Sequence, residues 1–184
     1  MNNREREYIF ADLPDIGYST DIDTVMASSY QVKKQLQQIV KIEQPITNTL
    51  LYKRILRIWN LTRVTTRLQV FIDNLLEDAY KDPLSGDTII YWEDEEKAKD
   101  CDFYRINSKR DILDIPILEV MSAARYAIEQ QISMPTEDLK RLTSQLLGFS
   151  RKGNNLDMVT EQTIQLLVDQ GIFSHANGMV SMNN

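Results

Sequence analysis

Three runs of apolar residues at helical spacing fill the stretch from Val32 to Ala79, and each predicts a helix with one buried face. Val32, Leu36, Ile39 and Val40 form the first stripe, which Pro45 stops by removing a backbone donor. Leu51, Ile55 and Ile58 form the second, with Thr47 or Asn48 placed to cap it. The third is expected to start near Thr62 and carries Val64, Leu68, Phe71, Ile72, Leu75 and Ala79 on one side. It should end near Tyr80, because "KDPLSGD" is turn chemistry, and the β-branched and aromatic "TIIYW" that follows predicts a strand.

The plan recurs from Ile117. "ILEVMSAARYAIEQQ", "TEDLKRLTSQLL" and "NNLDMVTEQTIQLLVDQ" predict three more helices, the second capped by Thr136. "GIFSHANGMV" predicts a hairpin turning on Asn177-Gly178, a pair suited to positive φ. Leu61-Thr62-Arg63 and Phe149-Ser150-Arg151 lie 88 residues apart, and the same offset carries Leu51 onto Leu139 and Leu68 onto Leu156. That regularity implies an internal duplication. The expected fold is mostly α with minor β: two tandem winged-helix-like units, residues 29–92 and 117–184. Residues 1–28 are expected to be a leader arriving from a preceding domain, with "YIFAD" as a short strand, and residues 93–116 an acidic connector without strong periodicity.

With 184 residues, 42% of them hydrophobic, the chain can bury a core of ordinary size. Its one cysteine, Cys101, cannot form an internal disulfide, so a cytoplasmic location is expected. No apolar run approaches the roughly 20 residues of a membrane span, and no membrane partner is expected. The net charge of -6 argues against a surface that coats nucleic acid everywhere. The charge is segregated, however. Residues 53–67 hold five bases and no acid, whereas Glu93 to Asp102 holds six acids against Lys97 and Lys99.

Candidate chemistry is sparse. None of the six glycines belongs to a loop ending in Gly-Lys-Ser/Thr, which excludes that phosphate cradle, and one Cys with one His cannot make a zinc site. His175 is expected in a solvated turn, and the acidic run is read as a solvated linker rather than a nuclease centre. No catalytic residue, cofactor or metal is therefore expected. Trp59 and Trp92 are read as packing residues, with Tyr91 as the best candidate for base stacking. The basic clusters carry more. In a winged helix the start of the third helix commonly faces the major groove, where Arg or Lys meets phosphate or a guanine edge. The candidate nucleic-acid-binding residues are Arg63, Arg67, Arg151, Lys152, Lys53 and Arg57. The alternative is that these bases form salt bridges within the fold.

Together "IVKIEQPITNTLLYKRILRIWNLTRVTTRL", "YRINSKRDILDIPILEV" and "MPTEDLKRLTSQLLGFSRKGNNL" resemble an uncharacterised domain at the C-terminus of large bacterial proteins that carry a superfamily I helicase and often a Vsr-like endonuclease segment. The resemblance runs from about Tyr8 to Val180. The family pattern places a Gly two residues after each Arg and often an Arg two further on. Here the first copy has Thr65 and Arg67, and the second has Gly153 and Asn155. The resemblance implies association with a helicase–nuclease polypeptide in DNA metabolism or in defence against foreign DNA, and no activity for this segment. The expected partners are duplex DNA, bound weakly and in a salt-sensitive way, and the helicase or nuclease segments. Docking onto those segments without nucleic-acid contact is the alternative function.

Overall fold

A computed structural model describes residues 3–18, 20–84, 86–129 and 131–183. In chain order its elements are β1 (Glu5–Glu7), α1 (Ile22–Ala27), α2 (Ser29–Glu43), β2 (Ile46–Thr47), α3 (Asn48–Ile58), α4 (Thr66–Leu75), β3 (Tyr80–Lys81) and β4 (Ile90–Trp92). There follow α5 (Glu95–Lys99), β5 (Tyr104–Ile106), a 3-10 turn (Ile112–Asp114), α6 (Ile117–Glu129), β6 (Ser133–Pro135), α7 (Thr136–Leu146), α8 (Asn154–Asp169), β7 (Phe173–Ala176) and β8 (Met179–Met182). The protein is mostly α with some β, and none of its described helices is long and apolar enough to cross a membrane. The chain forms two compact units, Ile9–Asp100 and Cys101–Asn184, and Met1–Tyr8 belongs to the second.

In the 9–100 unit the three apolar stripes meet: Val32, Leu36 and Ile39 of α2, Leu51 and Ile55 of α3, and Leu68 and Ile72 of α4 are all buried in one core. Thr47 starts α3, its hydroxyl accepting the Leu50 N–H. α4 begins at Thr66, not near Thr62. Asn60 takes a left-handed φ of 47°, residues 61–64 make the turn, and Thr65 is the hydroxyl placed to accept the Leu68 N–H at 3.2 Å. α4 also stops at Leu75, short of Tyr80. A three-stranded antiparallel sheet runs β2-β4-β3, with Ile46 opposite Tyr91 and Tyr80 opposite Trp92. Glu43, at the end of α2, is fully buried. Its carboxylate accepts the Ala11 N–H and a paired Arg54 guanidinium at 2.8 Å, and Phe10 lies against that guanidinium.

In the 101–184 unit α6, α7 and α8 pack together, and the antiparallel sheet runs β6-β8-β7. The β7–β8 turn uses Asn177 at φ 52° and Gly178 at φ 75°, as its sequence predicts. Thr136 does not cap α7. Pro135 precedes the helix without a side-chain cap, and the Thr136 hydroxyl instead donates to the Gly178 carbonyl, tying the helix start to the hairpin turn. Residues 93–116 are more than a connector: they hold α5, β5 and the 3-10 turn, each too short to print a period. The leader's strand falls at Glu5–Glu7, ahead of "YIFAD", and pairs in parallel with β5.

Behind β5 sits Glu119 of α6, with no exposed surface, bound by Arg105 and by Arg110 at 2.8 Å through two parallel hydrogen bonds. Tyr8 covers both guanidinium groups at 5.1 and 4.4 Å. Burial alone would raise the Glu119 carboxyl, but the charge of Arg105 and the charge and hydrogen bonds of Arg110 outweigh it and hold the group at about 2. A depressed carboxyl contributes stability above its unfolded value, here 4.5, and that contribution fades as pH falls towards 2. Glu119→Gln should therefore cost about 3 to 5 kcal/mol at pH 7, because it leaves two buried guanidinium groups without their anion. Urea denaturation followed by circular dichroism should show that loss at pH 7 and a smaller difference from the parent protein near pH 3.

Candidate nucleic-acid interface

The six candidate cations are all exposed. Lys53 and Arg57 stand four apart on α3, so they share one face of that helix. Arg63 lies in the turn from α3 to α4, and Arg67 is the second residue of α4. Arg57 meets Asp12 at 3.4 Å and Arg67 meets Asp23 at 2.8 Å, both as exposed pairs. Arg54 belongs to the same basic run but is spent on Glu43.

Arg151 and Lys152 occupy the turn before α8, and no ion pair involves either of them among the described residues. Here α8 is preceded by Gly153, which brings no side-chain cap. The turn borders a groove of about 510 Å³ shared with α7, lined by Arg141, Ser144, Gln145, Arg151, Lys152 and Asn154 among others. Lys140, also on this groove, is 7% exposed and reaches Asp157 at 2.6 Å, Glu161 at 3.0 Å and Glu137 at 3.3 Å. Burial opposes its charge, yet the hydrogen bonds it donates to Asp157, Glu161 and Glu137 raise the ammonium above its ordinary value. Beyond its first residues α8 carries Asp157, Glu161 and Asp169 and no base, so the cationic surface here is the turn and not the helix.

Tyr91 offers no stacking surface. It is fully buried, and its hydroxyl approaches Asp73 at 3.4 Å beside Tyr52, which donates to the same carboxylate at 2.8 Å. Burial first, and then the Asp73 carboxylate, push both phenols above their usual range. This cluster fastens α4 to α3 and β4. Trp59 and Trp92 are packing residues: each is buried, with its indole N–H donated to Gln35 and Asp82 respectively. His175 is exposed on β7 and within 3.1 Å of the Thr136 hydroxyl. In the acidic run, Glu93 and Glu95 pair with Lys97 and Lys99 along α5.

The fold and this surface define a mostly α protein with exposed bases before or within the first turns of α4 and α8 and along α3. Residues 27–70, covering α2 and α3 and reaching into α4, match the family described as protein of unknown function (DUF3320). No curated protein and no solved structure matches the chain.

The start of α4 depends on a single hydroxyl. Thr65→Ala leaves the Leu68 N–H without its acceptor and should cost about 0.5 to 2 kcal/mol. Denaturant unfolding read by tryptophan fluorescence checks this, since both tryptophans, Trp59 and Trp92, lie in the 9–100 unit.

Proposed function

We propose that the chain is a non-catalytic module that binds or positions duplex DNA for a larger helicase–nuclease protein of bacteria, acting in the cytoplasm through two winged-helix units that arose by duplication. The observation that carries this reading is the exposure of all six candidate bases, two of them in each turn region that leads into a third helix. From α2 to β4, and again from α6 to β8, the order is helix, short strand, helix, helix, strand, strand, and in each three-stranded sheet the last strand lies between the other two. That order and strand arrangement support reading each as winged-helix-like. The offset of 88 seen in the sequence takes Ser29 of α2 onto Ile117 of α6, and it takes α3 onto α7 at both ends. It also takes Thr65 onto Gly153, the two residues that precede the third helices. The helicase–nuclease association rests on the sequence resemblance.

Binding is expected at the helix starts and not along α8. Backbone N–H groups favour phosphate there, whereas the carboxylates of α8 would repel it. With roughly four phosphate contacts, from Arg63, Arg67, Arg151 and Lys152, the log-log salt dependence should have a slope of about -3 to -4. Because Arg63 and Arg67 are exposed, Arg63→Glu with Arg67→Glu should flatten that slope by about two units and leave the melting temperature close to that of the parent. A salt titration with a short DNA duplex, together with thermal melting of the same variant, reads both. A parent protein that binds no duplex at low salt would instead favour docking onto helicase or nuclease segments.

A further inference from the structure

Residues 11–23, "ADLPDIGYSTDID", contain four carboxylates and no base, and they run beside the most basic stretch of the chain. The placement is specific. Ala11 and Leu13 are buried in the 9–100 core, and Ile16 packs against it. The Ile16 N–H donates to the Ile58 carbonyl at 2.9 Å, the Thr20 hydroxyl to the Trp59 carbonyl, and the Asn60 side chain to the Tyr18 carbonyl at 3.2 Å. These bonds hold the segment on the last turn of α3 and on the turn that carries Arg63. Phe10, just before it, lies 4.9 Å from the Arg57 guanidinium.

The four carboxylates have different duties. Asp15 and Asp21 serve the segment itself, accepting the Gly17 N–H and the Thr24 N–H. Asp12 and Asp23 reach outward to Arg57 and Arg67, and each is more than 70% exposed, so neither is needed to fill space or satisfy a buried donor. Exposed pairs of this kind contribute little to stability and exchange readily with other anions. Each occupies a guanidinium that a phosphate would otherwise meet.

We propose that residues 11–18 and 20–23 form an acidic strap that masks the α3–α4 basic face, with Asp12 and Asp23 standing where nucleic-acid phosphates would sit, so that the strap sets the affinity of this face for duplex DNA. The inference rests on the DNA reading above and concerns its regulation. A bound duplex displaces two carboxylates from two guanidinium groups, and no fold contact is lost with them.

Asp12→Asn with Asp23→Asn tests it, in the full chain, against a short DNA duplex over a range of salt. The expected result is an affinity higher on the order of tenfold at low salt and a slope steeper by about one unit, because Arg57 becomes available to phosphate and Arg67 meets it without competition from Asp23. Glu77→Gln with Glu96→Gln removes the same charge from exposed positions of the same unit and should leave affinity within about twofold. In an Arg57→Gln, Arg67→Gln background the gain from the Asn substitutions should vanish, which isolates the pairwise contribution. Equal gains from the two double variants, or no gain from either, would overturn the strap while leaving DNA binding in place. Failure of the parent and of the Asn variant to bind duplex at low salt would overturn the DNA reading and the strap with it. Melting curves accompany each variant, and should the Asn double variant melt early, the single substitutions at Asp12 and Asp23 carry the same comparison.

Discussion

A carboxylate buried on the first long helix of each unit is the constraint around which the other contacts are arranged. Glu119 on α6 and Glu43 on α2 have no exposed surface, and an isolated carboxylate in such a place would cost several kcal/mol or take up a proton. Each is instead met by guanidinium and backbone N–H: Arg105, Arg110 and the Arg105 N–H for Glu119, Arg54 and the Ala11 N–H for Glu43. These requirements fix the neighbouring segments. β5 must bring Arg105 to α6, and the stretch around Ala11 must return to the end of α2. Tyr8 and Phe10 then close the respective centres with aromatic faces. The irregular N-terminal segment is ordered by charge as much as by apolar contact.

The same constraint divides the arginines into two kinds. Arg54, Arg105 and Arg110 are consumed in the interior, whereas Arg57, Arg63, Arg67 and Arg151 stand on the surface. Nothing in the sequence separates Arg54 from Arg57, three residues on. The difference is the side of α3 on which each falls and the presence of Glu43 behind one of them. A count of bases between Lys53 and Arg67 therefore overstates the surface charge, and the pairs with Asp12 and Asp23 reduce it further. Those partners lie 45 and 44 positions away in sequence, beyond any local pattern.

What periodicity can express, the sequence expressed well. The helical stripes of α2, α3 and α4 became the core of the 9–100 unit, and Thr47 and the Asn177-Gly178 turn behave as their chemistry demands. The failures have common causes. β2, with two residues, and β5 and β6, with three each, are too short for an alternation to register, and β5 exists because β1 pairs with it from nearly a hundred residues away. In "LTRVTTRL" three threonines compete for one cap, and only the backbone turn at Asn60 decides for Thr65. Tyr91, beside Trp92 at the end of the expected first wing, is the sequence's best candidate for stacking. Its strand is buried on both faces, as the burial of Ile90, Tyr91 and Trp92 in succession shows.

The repeated Arg answers to a common position: Arg63 and Arg151 each stand two residues before the residue that precedes a third helix, Thr65 in one case and Gly153 in the other. Gly153 is not dictated by its backbone, whose φ of -162° is ordinary extended chain, and a Cβ added there would meet nothing within 4 Å. A hydroxyl at that position would cap α8 and stabilise it by a few tenths of a kcal/mol, about the usual difference between Ser or Thr and Gly. With glycine in place, the first-turn N–H groups have no side-chain cap, beside Arg151 and Lys152, while the first-turn carboxylate, Asp157, is held by Lys140. At α4 the arrangement is reversed, with Thr65 occupying an N–H and Asp23 occupying Arg67. On the DNA reading the two starts are therefore unequal partners: that of α8 can receive a phosphate as it stands, and that of α4 only when Asp23 gives up its arginine.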